Sequence, residues 1–308
     1  MEHRTVLLEE SIIALNIKKH GIYVDCTLGG GGHSEGILEV LDGSGKLVSI
    51  DQDIFAINKS QERLKKYNNI VFIKDNFSKL NIILNNLQIE HVDGVLLDLG
   101  VSSFQFDDRQ RGFSYWDESP LDMRMDQDTK IDAKFILNNY TLKELTRIFT
   151  DYAEEKNAYR FAKAILNSRV KKEIVTNKDL VDIIKSAMSE KEKRKQGHPA
   201  RKIFQALRIE VNQELNVLET VLPLIVAILN KGGRMAIITF HSIEDRIVKK
   251  FIKKMENPCE CHANFPICIC GKTPLLKSIG HKPVLPNIGE IDLNVRSRSS
   301  KLRIAEKI

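Results

Sequence analysis

The sequence predicts an α/β protein: a parallel, doubly wound sheet with a helical domain inserted into it. Three observations predict this. Short apolar runs alternate with amphipathic helical runs from residue 21 to about residue 100. Between about 106 and 201 no convincing core strand is found. The strand–helix alternation then returns between 234 and 255. A structureless stretch as long as the middle one is improbable inside a compact domain, so an inserted helical domain is expected.

The elements follow in order. Thr5-Val6-Leu7-Leu8 precedes an amphipathic helix, Glu9 to Leu15. Ile22, Tyr23, Val24 and Cys26 make Gly21 to Thr27 a buried strand. Four glycines follow, Gly29 to Gly32, and Ser34 opens a helix through Ile37, Leu38 and Leu41. Leu47 to Ile50 is the second strand, and Ile54, Ile57 and Leu64 form one stripe of the next helix. Ile70 to Ile73 is the third strand, and Phe77-Ser78 starts a helix through Leu80, Ile83, Leu84 and Leu87. Val92 to Gly100 is apolar enough for a strand buried on both faces. In the insert, helices are expected over 131–138, 142–149, 153–168 and 180–188, closed by a basic segment over 191–199. Arg201 to Leu229 is a long helical region with an expected break near Pro223. Arg234 to Phe240 is the fifth strand. The helix Ile243 to Met255 has an acidic start and a basic end, matching its dipole. Pro283 to Ile308 alternates like one or two strands. The sheet domain is therefore expected to be discontinuous, 1–108 with 202–308, around an insert at 109–201.

At 308 residues and 42% hydrophobic content, the chain can build one large core or two moderate ones. No apolar run reaches a membrane span, and Met1-Glu2-His3-Arg4 lacks the apolar core of a signal peptide. A cytoplasmic protein is expected. A formal charge of +6 permits a nucleic-acid partner without requiring one. Four of the five cysteines crowd between 259 and 270.

The glycine loop after the first strand is the chemical signal. Strand, glycine turn and helix start form a ligand cradle, because glycine reaches positive φ and lets a ligand come close. No register gives the G-x-G-x-x-G of a nicotinamide site, since His33 and Ser34 stand where glycine is required. Gly45-Lys46 is followed by Leu47, so a Walker loop fails too. Asp25 ends the first strand, and Asp51 and Asp53 follow the second. That layout suits a ligand with a cationic amino-acid part and a ribose diol, such as S-adenosylmethionine. In an open parallel sheet, ligands sit at the carboxyl ends of the strands. Those ends carry Asp25, Asp51, Asp98 and His241, with Asp75 and Phe77 past the third strand. Asp25 has an alternative job, holding the glycine loop by hydrogen bonds. His241 has one as well, capping the following helix.

Several motifs resemble one family. They are Asp-x-Thr-x-Gly-x-Gly-Gly-His (25–33), Leu-Leu-Asp-Leu-Gly-Val-Ser-Ser (96–103), Arg-Gly-Phe-Ser (111–114) and Pro-Leu-Asp-Met-Arg-Met-Asp (120–126). They continue with His-Pro-Ala-Arg (198–201), Phe-Gln-Ala-Leu-Arg-Ile-x-Val-Asn-x-Glu-Leu (204–215), Thr-Phe-His-Ser-x-Glu-Asp-Arg (239–246) and Arg-Ser-Arg-Ser-x-Lys-Leu-Arg (296–303). In this order they resemble the bacterial 16S rRNA (cytosine-N4) methyltransferase family, RsmH (MraW). The resemblance runs from Thr5 to Arg303. It implies a class I S-adenosylmethionine-dependent methyltransferase fold with an inserted, substrate-recognising helical domain. It implies N4-methylation of a decoding-centre (P-site) cytidine in 16S rRNA of the small ribosomal subunit. It places cofactor contacts at Gly31, Gly32, His33, Asp51, Phe77, Asp98 and Gln105. The family often has proline where this chain has Phe104.

Cytosine N4 is a poor nucleophile because its lone pair is delocalised into the ring. A protein acceptor on an amine hydrogen redirects that lone pair, and Asp98 is the candidate for this role or for cofactor binding. His241 is the second candidate for the base pocket. A stacked cytosine must be flipped out to react. Phe113, Tyr115 and Trp116 are candidate stacking partners, or anchors of the insert. Arg194, Lys195, Arg201, Arg296, Arg298 and Arg303 are candidate phosphate contacts. A strand would point Arg296 and Arg298 the same way. Two Cys-x-Cys pairs, Cys259/Cys261 and Cys268/Cys270, either bind tetrahedral zinc as a structural site or stand as reduced thiols. A nicotinamide oxidoreductase and a non-catalytic RNA-binding scaffold are the competing readings. The missing fingerprint argues against the first. The retained Asp51, Asp98 and glycine loop argue against the second.

Overall fold

A computed structural model describes residues 5–115, 118–194, 197–262 and 269–308. Trp116, Lys195 and Cys268 lie outside the described residues. The chain divides into two compact units, Met1–Gly100 with Asn216–Ile308, and Val101–Leu215.

The first unit begins with α1 (Leu8–Leu15), β1 (Ile22–Asp25), α2 (Gly32–Val40), β2 (Lys46–Asp51), α3 (Ile54–Leu64), β3 (Ile70–Lys74), α4 (Leu80–Asn86) and β4 (Val92–Asp98). The second unit then holds α5 (Ser103–Asp107), α6 (Ala133–Asn139), α7 (Leu142–Asp151), α8 (Ala158–Arg169), α9 (Asn177–Ala187), α10 (Glu190–Lys193) and α11 (Arg201–Asn212). The chain continues through α12 (Glu214–Ile228), β5 (Leu229–Thr239), α13 (Ser242–Glu256), β6 (Leu276–Ser278), α14 (Ile288–Leu293) and β7 (Lys301–Lys307).

Among the described residues the sheet has seven strands in the order β3-β2-β1-β4-β5-β7-β6. β1 to β5 are parallel, and β7 runs antiparallel between β5 and β6. Adjacent residues on each strand face opposite layers. Val24, Val48 and Leu97 pack with α4, α12 and α13, whereas Tyr23, Leu47 and Leu96 pack with α1, α2 and α3. Both faces are covered, so the middles of the inner strands are mostly apolar. Strand order reverses between β1 and β4, and in open sheets of this kind ligands bind at the carboxyl ends of the strands at that point. This is the class I S-adenosylmethionine-dependent methyltransferase topology.

The helical unit has its own core, with Leu137, Ile148, Phe149, Phe161, Ile165, Leu180 and Leu207 all at most 3% exposed. It is wider than the insert expected at 109–201, because Ile203, Phe204, Leu207 and Val211 of α11 pack into that core. The helix expected to start at 153 starts at Ala158, since Glu154 takes a left-handed φ of 47°. Capping boxes start α7 (Thr141 with Glu144) and α9 (Thr176 with Asp179).

Two further expectations are corrected. The break expected near Pro223 falls at Gln213, whose φ is 51°, and Pro223 stays inside α12. Burial of Val221, Leu222 and Ile225 holds that helix despite the missing N–H. The tail forms β7, but Arg296 and Arg298 lie in a 3-10 turn, Val295–Ser299, not in a strand. Asn294 starts that turn by accepting the Arg296 N–H at 3.2 Å.

Candidate active site

The carboxyl ends of β1, β2 and β4 bring Asp25, Asp51 and Asp98 to one edge of the sheet. Asp25 is fully buried and organises the loop. One carboxylate oxygen accepts the Thr27 N–H at 3.0 Å, and the other accepts the Ser34 hydroxyl at 2.7 Å. It is the loop-holding alternative that the structure gives it. Thr27, which the sequence reading passed over, also takes the Asp98 N–H on its hydroxyl at 2.6 Å. The Asp-x-Thr pair therefore ties the end of β1 to the end of β4.

Asp51 closes the loop from the other side. It accepts the Gly29 N–H at 2.8 Å and the Asp53 N–H at 2.9 Å. Asp53 in turn caps α3 through the Phe55 N–H. The loop glycines do different jobs. Gly29 and Gly31 have φ of +49° and +75°, so both need the left-handed region. A Cβ on Gly32 would lie 1.8 Å from the Thr5 hydroxyl oxygen, so closeness there serves the N-terminal segment. A Cβ on Gly29 would meet the Thr27 carbonyl at 3.8 Å, ordinary contact, which leaves that side of the loop open.

His33 is 4% exposed. Its Nε2 lies 3.0 Å from the Val6 carbonyl, and its Nδ1 lies 3.7 Å from an Asp98 oxygen. Its ring is therefore packed between the N-terminal segment and Asp98. The other Asp98 oxygen, Oδ1, is buried and has no hydrogen-bond partner among the described residues. An orphaned buried carboxylate oxygen is costly and awaits a donor. Phe77 sits in the 3-10 turn after β3, partly buried against the core. Gln105 belongs to the helical unit, where its side chain accepts the Ser102 N–H at 3.1 Å in a capping box.

His241 is the N-cap of α13. Its Nδ1 accepts the Glu244 N–H at 3.4 Å, and Glu244 returns to the Phe240 and His241 N–H groups at 2.9 and 3.3 Å. The capping alternative describes this ring. Glu244, 2% exposed, is a buried acid that no sequence signal marked as part of the site.

These acids repel one another. Burial pushes the Asp51 carboxyl up to about 6, against the two N–H bonds that lower it. Burial, then the charges of Asp25 and Glu244, hold Asp98 well above the usual carboxylate range. Burial also raises Asp25, opposed by Ser34 and Thr27. A cation placed among them would relieve the repulsion, and a diol would bond to Asp51. Orphaned Oδ1, crowded acids and the open face at Gly29 fit S-adenosylmethionine, whose sulfonium and ammonium are cationic.

Other expected contacts separate. Phe113 is buried in the helical unit. Tyr115 stacks on His198 at 4.4 Å and meets Phe204 edge-on. Asn177 holds this segment by donating to the Gly112 and Ser114 carbonyls at 3.0 and 2.6 Å. Both rings therefore anchor the insert. Arg303 is engaged by Asp245 at 2.6 Å, so it is not an available phosphate contact. Arg194, Arg201, Arg296 and Arg298 are exposed.

The sequence profile of the MraW methylase family matches residues 1–308. The chain belongs to that family. It is 51% identical over 307 residues to the "Ribosomal RNA small subunit methyltransferase H" of Clostridium botulinum (strain Loch Maree / Type A3), covering 100% of this chain and 99% of that protein. It is 50% identical, with the same coverage, to the protein of that name from strain 657 / Type Ba4. Among solved structures, an rRNA methylase of Streptococcus thermophilus aligns with a TM-score of 0.42 at 12% identity, over 100% of this chain and 99% of that one. Membership in the MraW methylases and the strand order together make this a methyltransferase of class I fold. Among the described residues no single helix is long and apolar enough to cross a membrane.

Proposed function

We propose that this methyltransferase modifies small-subunit rRNA, and that its acceptor is the N4 amine of a decoding-centre (P-site) cytidine in 16S rRNA. The observation that carries the reading is Asp98. It ends β4 with one buried oxygen unpartnered among the described residues, at the strand end where an amine hydrogen needs an acceptor. The full-length relatives named for small-subunit rRNA support the substrate class. The motif resemblance supports N4 of cytosine.

S-adenosylmethionine, when bound, supplies a methyl group that its sulfonium already makes electrophilic. The chain has three tasks. Asp51 and the Gly29 turn hold the ribose and fix the donor's position. A cation in the crevice offsets the repulsion from Asp25 and Glu244 and keeps Asp98 ionised. Ionised Asp98 accepts an N4 hydrogen, draws the lone pair out of the ring, and gains value as N4 becomes positive. Thr27 holds the Asp98 backbone and His33 lies against its carboxylate, which keeps N4 oriented. The methylated amine loses a proton readily, so no strong base is needed.

The deciding measurement is nucleoside mass spectrometry of 16S rRNA from cells with and without the protein. N4-methylated cytidine should vanish in its absence and return with the wild-type gene. An unchanged level would refute the acceptor. A change at a different base would move the reading to another rRNA site.

A further inference from the structure

We propose that Cys259, Cys261 and Cys270 form a structural zinc site that closes the loop between α13 and β6. The ends of that loop already meet. The Leu275 N–H donates to the Met255 carbonyl at 2.9 Å. The Ser278 N–H and hydroxyl donate to the Glu256 carboxylate at 3.0 and 3.1 Å. Between these ties the chain makes an excursion that carries the three cysteines.

Their sulfurs all lie within 4.8 Å of one another. The Cys259 and Cys270 sulfurs are 3.9 Å apart although eleven positions separate them. Zinc–sulfur bonds of about 2.3 Å at tetrahedral angles put neighbouring sulfurs about 3.8 Å apart. A disulfide needs about 2.05 Å, far shorter than this pair. The spacing matches that of sulfurs sharing one ion.

The Ile269 N–H points at the Cys261 sulfur at 3.3 Å, which fixes where that sulfur sits. Gly271 has φ of +65° with nothing within 4 Å of a would-be Cβ, which permits the turn after Cys270. Lys272, two positions after Cys270, pairs with Glu260, which ties the two cysteine-bearing segments together. Soft thiolates select zinc over magnesium or calcium. On binding, each thiol loses one proton to solvent and forms one sulfur–zinc bond; no electrons move. A fourth donor completes the tetrahedron. The gain is entropic and local, because an ion that joins distant cysteines closes a loop of the chain.

The test uses the full chain, purified in reductant without chelator or histidine tag. Elemental analysis should find one zinc per chain in wild type and none in Cys259→Ser/Cys270→Ser. As a control for misfolding, a chelator should lower the Tm of wild type, zinc should restore it, and the Tm of the double variant should ignore both. Zinc-free wild type with thiols that titrate as reduced overturns the proposal. So does a Cys259–Cys270 disulfide in its place, or zinc retained by the double variant.

Discussion

Asp51 and Asp98 end neighbouring parts of one sheet, yet their partners differ. Asp51 already accepts two N–H bonds, whereas Asp98 has a buried oxygen with none among the described residues. Replacing Asp51 by alanine removes a charge-assisted acceptor. Cofactor affinity by calorimetry should fall by about 1.5–3 kcal/mol; unchanged affinity in a folded variant would remove Asp51 from the site. Asp98→Ala should abolish methyl transfer with the fold intact, and transfer at the wild-type rate would defeat both roles considered for it. The pH dependence follows from sign. Asp51 has its folded carboxyl raised from 3.8 to about 6. In that window the folded chain holds a proton that the unfolded chain has released, so this group's contribution to apo-protein stability falls as pH rises. Ligand binding needs the ionised form, so cofactor affinity should rise as pH increases through about 6, and Asp51→Asn should flatten that part of the profile. A profile identical in wild type and Asp51→Asn would assign the titration elsewhere.

At the scale of elements, the ends of α13 and β7 decide which polar residues are available. His241 caps α13 in a capping box with Glu244. If capping is its work, His241→Asn keeps a side chain suited to the position and should preserve both Tm and rate. Loss of methyl transfer in a folded His241→Asn would return the ring to the base pocket. Asp245, on the same first turn, binds Lys301 and Arg303 across to β7 at 3.2 and 2.6 Å. Those cations brace the sheet. The exposed arginines of the tail are Arg296 and Arg298, in the turn before β7. Reversing both charges should reduce the slope of log RNA affinity against log salt, since each lost phosphate contact removes a share of counterion release. An unaltered slope would mean that RNA is held elsewhere.

At the scale of the whole molecule, two cores are built from one chain. The helical unit's core centres on residues such as Phe149, which is 0% exposed. Phe149→Ala should cost about 3–5 kcal/mol in that unit. If the helical unit serves RNA recognition, methylation of rRNA should collapse while cofactor binding, built from residues of the sheet unit, survives. Equal loss of both activities would mean that the two units do not act separately.

Alternating apolar runs determined the sheet's strands and most helices, because burial on both faces leaves a run such as Val95, Leu96 and Leu97 without a polar residue. The acids at strand ends and the glycine loop were legible for the same reason: chain chemistry changes abruptly where a strand stops. What tertiary structure alone decided is how each polar group is used. Gly32 meets Thr5, His33 meets Val6 and Asp98, and Phe113 sinks into the helical core. The break at Gln213 in place of Pro223 was equally hidden, since burial of one helical face outweighs a missing N–H. Glu244 carried no signal because an acid in a helix's first turn is ordinary; only packing buries it beside Asp98. Residue type fixes what a side chain can do, and the neighbours brought to it across the fold fix which of those things it does.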